Sequence, residues 1–196
     1  MGYKNREVEW KLLTEGTASM PSIDRIVRSV LEKHTTFCKP IIEGSAADTY
    51  FQPPEDARAD FIRVRELDEP DEHGCMAQVT LKYSDKGGNV NRIEMDLGVS
   101  DPEQAVKLLT YMLGDPLGRV TKRYTVYFLE NVHTTVSVYK VFKDKRVFVE
   151  VEAMNVKRVQ EVADLLRRHG GLKFQRAKRS LFDMFVLKKE MLLEPL

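Results

Sequence analysis

Between Arg6 and Leu13 the chain reads REVEWKLL, in which Glu7, Glu9 and Lys11 alternate with Val8, Trp10 and Leu12. A strand turns successive side chains to opposite faces, so two carboxylates and an ammonium share one face and the apolar groups share the other. The same sorting recurs along the chain. FIRVREL sets Arg63 and Arg65 against Ile62 and Val64, and VTLKY sets Thr80 and Lys82 against Val79 and Leu81. NRIEMDL sets Arg92, Glu94 and Asp96 against Ile93, Met95 and Leu97, VTKRYTVYF offers Thr121, Arg123 and Thr125, and FVEVE offers Glu150 and Glu152. An ordinary sheet wets its polar face. Here the commonest cation is Arg, the residue suited to planar bonds with carboxylate or phosphate, and the acids come as pairs two residues apart. Turned inward, these faces put Lys11, Arg63, Arg65, Lys82, Arg92 and Arg123 in one lumen with Glu7, Glu9, Glu94, Glu150 and Glu152. Such a lumen suits a triphosphate: cations take its oxygens, while carboxylates hold a divalent metal. Hard oxygen donors select Mg²⁺ or Mn²⁺.

The elements that must position these groups are readable from periodicity. MPSIDRIVRSVLEKH predicts a helix with Ser22 as N-cap and an apolar stripe of Ile23, Ile26, Val27, Val30 and Leu31. SDPEQAVKLLTYMLG predicts a second, capped by Ser100 or Asp101 and stopped at Gly114. NVKRVQEVADLLRRHGG predicts a third from an Asn155 cap to Gly170, and AKRSLFDMFVLKKEMLL a fourth, docked on the sheet or in a homodimer contact. Between them lie eight period-2 runs, with PPEDARAD and DEPDEHG as loops and DKGGN as a turn. The expected fold is α+β: a closed antiparallel eight-stranded barrel, a tunnel, with helices packed outside. One domain spans 1–196, its barrel covering about 5–153 and the C-terminal helices about 155–193.

Bulk properties narrow the partners. Lys and Arg number 31 against 30 Asp and Glu, which gives no electrostatic reason for a nucleic-acid or membrane partner. No run approaches the roughly 18 apolar residues of a membrane span, and the N-terminus has no signal-like apolar stretch. Cys38 and Cys75 lack metal-type spacing, which suits a reducing cytoplasm and a monomer or homodimer. His34, His73, His133 and His169 are scattered and read as surface groups, Tyr50 as core, and RRHGGLKFQRAKR and FKDKR as solvated basic runs.

The ordered set of motifs resembles the CYTH family, the triphosphate tunnel metalloenzymes, which includes class IV adenylyl cyclases, thiamine triphosphatases and inorganic triphosphatases. Glu7-Val8-Glu9-Trp10-Lys11 resembles its N-terminal Glu-x-Glu-x-Lys, and Asp48-Thr49-Tyr50-Phe51 its aromatic Asp-Thr-Tyr segment. Arg63-Val64-Arg65, Leu81-Lys82, Arg92-Ile93-Glu94, Lys122-Arg123 and Glu150-Val151-Glu152 follow in family order over about residues 5–152. The resemblance implies that Glu7, Glu9, Glu150 and Glu152 bind Mg²⁺ or Mn²⁺. It implies that Lys11, Arg63, Arg65, Lys82, Arg92 and Arg123 bind phosphate oxygens, with Lys11, Arg65, Lys82 and Arg123 catalytic and no protein nucleophile. The implied activity is metal-dependent hydrolysis of inorganic triphosphate, a nucleoside triphosphate or thiamine triphosphate. Formation of cyclic AMP from ATP is the alternative, and triphosphate binding with little turnover the third reading. Two positions depart from the pattern. Tyr139 stands where the family has an acid on the strand before the last Glu-x-Glu, and Lys122 is expected to turn away from the tunnel.

Overall fold

The computed structural model describes residues 4–14, 18–57, 59–71, 73–84, 91–129, 134–142 and 144–196; side chains of residues 4–7, 84, 91 and 92 fall outside it. The turn DKGGN and His133 also lie outside the described residues. The strands are β1 Lys4–Thr14, β2 Ile42–Phe51, β3 Phe61–Leu67, β4 Ala77–Ser84, β5 Asn91–Val99, β6 Gly118–Phe128, β7 Thr135–Val141, β8 Phe148–Ala153, β9 Phe174–Ala177 and β10 Leu193–Pro195. The α-helices are α1 Met20–His34, α2 Pro102–Leu113 and α3 Val156–Gly170, with a π-helical turn at Phe182–Val186. The fold is α+β, with a 10-stranded sheet of order β10-β9-β1-β5-β4-β3-β2-β6-β7-β8, in which β1 also pairs with β8.

Ten strands stand where eight were expected. The difference lies at the C-terminus, where the sequence predicts a helix over 177–193 and no element over 171–176. Phe174–Ala177 pairs instead with β1, bringing Lys11 opposite Ala177, and β10 pairs in turn with β9. Helix survives only as the short π-helical turn, after which Lys188 adopts a positive φ of 53° that an α-helix cannot continue. Free backbone groups beside β1 outbid a segment whose own helical stripe is short.

The chain divides into two compact units. The first comprises Met1–Arg6, Gly44–Lys122 and Arg179–Glu190, and the second Glu7–Glu43, Arg123–Lys178 and Met191–Leu196. In the first, β2, β3 and β4 pair antiparallel in series, and β4 continues to β5. Their apolar face carries Phe51, Ile62, Val64 and Ala77, against which α2 lays Ala105, Val106, Leu109 and Leu113. The Asp101 side chain caps α2 by accepting the Gln104 amide at 3.0 Å, and Gly114 ends the helix, as the sequence predicts. The π-helical turn crosses β6 at Gly118, where a Cβ would meet Val186 at 3.1 Å.

In the second unit β8 pairs antiparallel with both β1 and β7. Val136, Val138, Val149 and Val151 are buried with Ile23, Val27 and Leu31 of α1 and Val159, Val162 and Leu166 of α3. Each such side chain contributes about 1.5–3 kcal/mol by leaving water. The α1 cap is Ser19, whose hydroxyl accepts the Ser22 amide; the expected cap, Ser22, sits inside the first turn because the helix begins at Met20. Asn155 caps α3, which closes at Gly171 with φ 63°, a left-handed conformation that glycine adopts without strain. Among the described residues no helix is long and apolar enough to cross a membrane.

Candidate functional site

The alternation of charge along the strands does not mark a wet face. Glu9, Lys11, Asp48, Thr49, Arg63, Thr80, Lys82 and Lys122 are all buried, as are Trp10 and Val64 between them, while Leu81 is half-buried. Burying ions is costly unless they are paired, so the pairing says what each cluster can still accept.

In the first unit the centre of charge is Asp48, which is 0% exposed. Strand register sets it opposite Arg65, and sets Tyr50 opposite Arg63. Arg65 donates to Asp48 in a fork, Nε to Oδ1 at 2.7 Å and Nη2 to Oδ2 at 3.0 Å. Arg63 Nη1 lies 3.9 Å and Lys122 Nζ 3.8 Å from Oδ2. Burial alone would raise the Asp48 pKa, but Arg65, Lys122 and Arg63 outweigh it and hold the carboxyl well below its usual range. The pKa of Arg65 is raised: burial opposes its charge, and Asp48 more than compensates. Three cations thus converge on one carboxylate.

Arg63 is anchored from its other side. Its Nη2 donates to Thr80 Oγ1 at 3.0 Å, and that hydroxyl donates to Asp96 Oδ1 at 2.6 Å. Its buried Nε has no hydrogen-bond partner among the described residues. Lys82 pairs with Glu94, its register partner on β5. Behind these cations Tyr50 packs against Phe61 and Phe182, with ring centroids 5.2 and 5.3 Å away. Tyr50 is buried, so this ring is core, as expected, and that burial pushes its phenol up.

The second unit holds a cluster of opposite balance. Register sets Glu9 opposite Glu152 and Lys11 opposite Glu150. Lys11 pairs with Glu9 and, at 3.0 Å, with Glu150. Tyr139 is buried, stacks on Phe148 at 5.3 Å, and donates its hydroxyl to Glu150 Oε2 at 3.2 Å. Among the described residues this cluster sets three carboxylates beside one ammonium. Their donors are all hard oxygens, which fits Mg²⁺ or Mn²⁺ in kind. They are not gathered in advance: among the described residues no three His, Cys, Asp or Glu converge as a metal group. Tyr139→Phe should cost about 1 kcal/mol in a urea titration, because Glu150 loses a donor; an unchanged midpoint would show that bond to be dispensable.

Two expected members of the charged row exchange places. Arg123 is exposed, while Lys122 is buried beside Asp48. Along β6 and just beyond, burial falls at Val120 and Lys122, then at Thr125, Tyr127 and Leu129, so the alternation slips by one residue between them. A single inserted position is enough to exchange faces. Glu7 and Arg92 have side chains outside the described residues; Arg92 is paired through its backbone register with Ser84. Sequence reasoning passed over Asp48, Thr80 and Lys122 as site residues. Asp48 stands two positions before Tyr50, on the same strand face, and that spacing was the available signal. The described histidines His34, His73 and His169 are exposed and away from both clusters, as expected.

An antiparallel α+β protein whose strands bury a charged face opposite an apolar, helix-covered one is the class that fold and clusters define. The sequence profile of the CYTH domain matches residues 5–180, and the chain belongs to that family. Among solved structures it is similar to a Hippeastrum protein described as a candidate adenylyl cyclase with dominant triphosphatase activity. Identity there is 16%, the TM-score is 0.66, and the match covers 97% of this chain and 100% of that one. A conserved hypothetical protein of Pyrococcus furiosus matches with 18% identity and a TM-score of 0.66 over 91% of this chain and 99% of the other. The PH1012 protein of Pyrococcus horikoshii matches with 23% identity and a TM-score of 0.61 over 84% and 90%. At these identities the likeness is one of fold. No curated protein gives a significant match.

Proposed function

We propose that the chain is a divalent-metal-dependent phosphohydrolase that binds a triphosphate in a charged tunnel and works as one domain. The observation that carries this reading is the convergence of Arg63, Arg65 and Lys122 on the buried Asp48, with an Arg63 Nε–H that has no hydrogen-bond partner among the described residues. A buried guanidinium N–H without a partner is a standing anion site. Membership in the CYTH family supports it, as does the description of the Hippeastrum neighbour as a triphosphatase. Pairing of β8 with β1 supports the tunnel.

In this mechanism Arg63, Arg65, Lys82 and Lys122 hold the non-bridging phosphate oxygens, and Lys11 is the phosphate-binding cation among the carboxylates. Asp48 keeps Arg63, Arg65 and Lys122 extended and paired before substrate arrives, so little reorganisation is needed at reaction. Glu9, Glu150 and Glu152, with Glu7, are the groups that would hold Mg²⁺ or Mn²⁺. When bound, the metal would supply charge neutralisation to the phosphates and orient water. Water then forms a bond to the terminal phosphorus, the bridging P–O bond breaks, and orthophosphate leaves with the shortened phosphate chain. The cations stabilise the charge spread over the transferred group. Near-dry surroundings strengthen each of these contacts.

The test is product identification with Mg²⁺ or Mn²⁺ and, separately, inorganic triphosphate, ATP and thiamine triphosphate. Orthophosphate release with at least one of them is the expected result. Cyclic AMP and diphosphate from ATP would instead support the cyclase alternative. Thermal stabilisation without product would reduce the protein to a binding module. No stabilisation and no product from any triphosphate would overturn the tunnel reading.

A further inference from the structure

The second unit carries cations that triphosphate chemistry leaves unused. Lys140 follows Tyr139 on β7, so it stands on the strand face opposite the Tyr139–Glu150 cluster. Arg123, displaced from the charged row, and Lys145, in the β7–β8 connection, line the same open groove as Lys140, with a volume of about 920 Å³. None of the three has a carboxylate partner among the described residues. The acids that line the groove are committed elsewhere. Asp24 accepts the Tyr127 hydroxyl at 2.7 Å, and Glu43 takes Arg28 at 2.9 Å. A fourth cation, Arg146, is held by Asp144. The groove therefore has a net positive wall.

That wall is also aromatic. Phe142, 65% exposed, and Tyr124 both line the groove. A bare inorganic anion has no use for an exposed ring, whereas a planar base stacks on one while cations take its phosphate. The volume lies at the upper end of the roughly 300–1,000 Å³ of small-ligand sites, enough for a base, a sugar and a phosphate together. We infer that this groove is a nucleotide-binding site, with phosphate held by Arg123, Lys140 and Lys145 and the base stacked on Phe142. The basic segment FKDKR, which composition assigns to a solvated turn, supplies the ring and one of these cations. This site does not depend on the triphosphatase reading: its residues are outside both charged clusters.

The experiment is calorimetric titration of the full chain with AMP in EDTA. AMP should bind one to one. Lys140→Ala combined with Lys145→Ala, and separately Phe142→Ala, should each weaken it about tenfold. The melting temperature should stay unchanged, as should hydrolysis of any triphosphate the wild type turns over. No AMP binding at all, or an affinity indifferent to Phe142→Ala, would overturn the inference. A 5′-phosphorylated single-stranded oligonucleotide separates the sources. Tighter binding than AMP, with the same dependence on Phe142, assigns the site to an oligonucleotide end; equal or weaker binding assigns it to free nucleotide.

Discussion

Replacing Asp48 by Asn is expected to lower the melting temperature by about 6–12 °C, from the loss of about 3 kcal/mol in a chain of this length. Asn keeps the shape and can accept one hydrogen bond, but it removes the charge that Arg63, Arg65 and Lys122 share. Those cations then lose the one carboxylate they share in a largely buried place, which costs more than the loss of any single surface pair. The effect has a definite pH signature. A carboxyl whose native pKa is depressed contributes stability that is present above its unfolded value, about 3.9, and lost as pH falls toward the native one. The gap between wild type and variant should therefore be full at pH 7 and close progressively below about pH 4. Thermal melts across that range measure it. A gap that stayed constant with pH, or a shift at pH 7 under about 2 °C, would show that Asp48 does not hold the cations through charge.

Glu9→Gln should have the largest effect on turnover, a fall in kcat of about 100-fold or more under saturating Mg²⁺ or Mn²⁺. The substitution preserves volume and leaves Lys11 paired with Glu150 at 3.0 Å, so the fold should survive it. What it removes is one of the carboxylates that would hold the metal, directly opposite Glu152 in the strand register. Stabilisation of the protein by Mn²⁺ alone, read as a shift in melting temperature, should shrink in parallel. This second readout keeps metal binding apart from chemistry. Wild-type turnover in a folded Glu9→Gln protein would contradict the metal assignment under both the hydrolase and the cyclase readings.

These two residues also show how differently the parts of the site could be read. Glu9 declares itself, because Glu-x-Glu-x-Lys places like charges side by side and demands a cation. Asp48 does not: it is one acid in an otherwise apolar run, ADTYF, and its three cations come from β3 and β6. Lys122 and Arg123 mark the limit more sharply. Both are cations on one strand, and a strict period of two chooses Arg123. The slip in the buried pattern after Lys122 chooses the other, and nothing in the local sequence announces it.

The same division holds across the chain. Alternation and capping are local, written in neighbouring residues, and so the first eight strands, the three α-helices and the two-faced character of the strands are legible in the amino-acid order. Asp101, Asn155 and Gly114 act where their chemistry says they should. The amino-acid order alone also carries the CYTH motifs in their family sequence. Pairing is not local. That Phe174–Ala177 joins β1, that Asp48 meets Arg65, and that Tyr139 reaches Glu150 depend on partners distant in the chain, through hydrogen-bond registers that no short window contains. Burial follows from that pairing: a charged strand face reads alike whether it meets water or counterions, and only the tertiary structure decides which, because the energy that distinguishes them is set by what lies opposite.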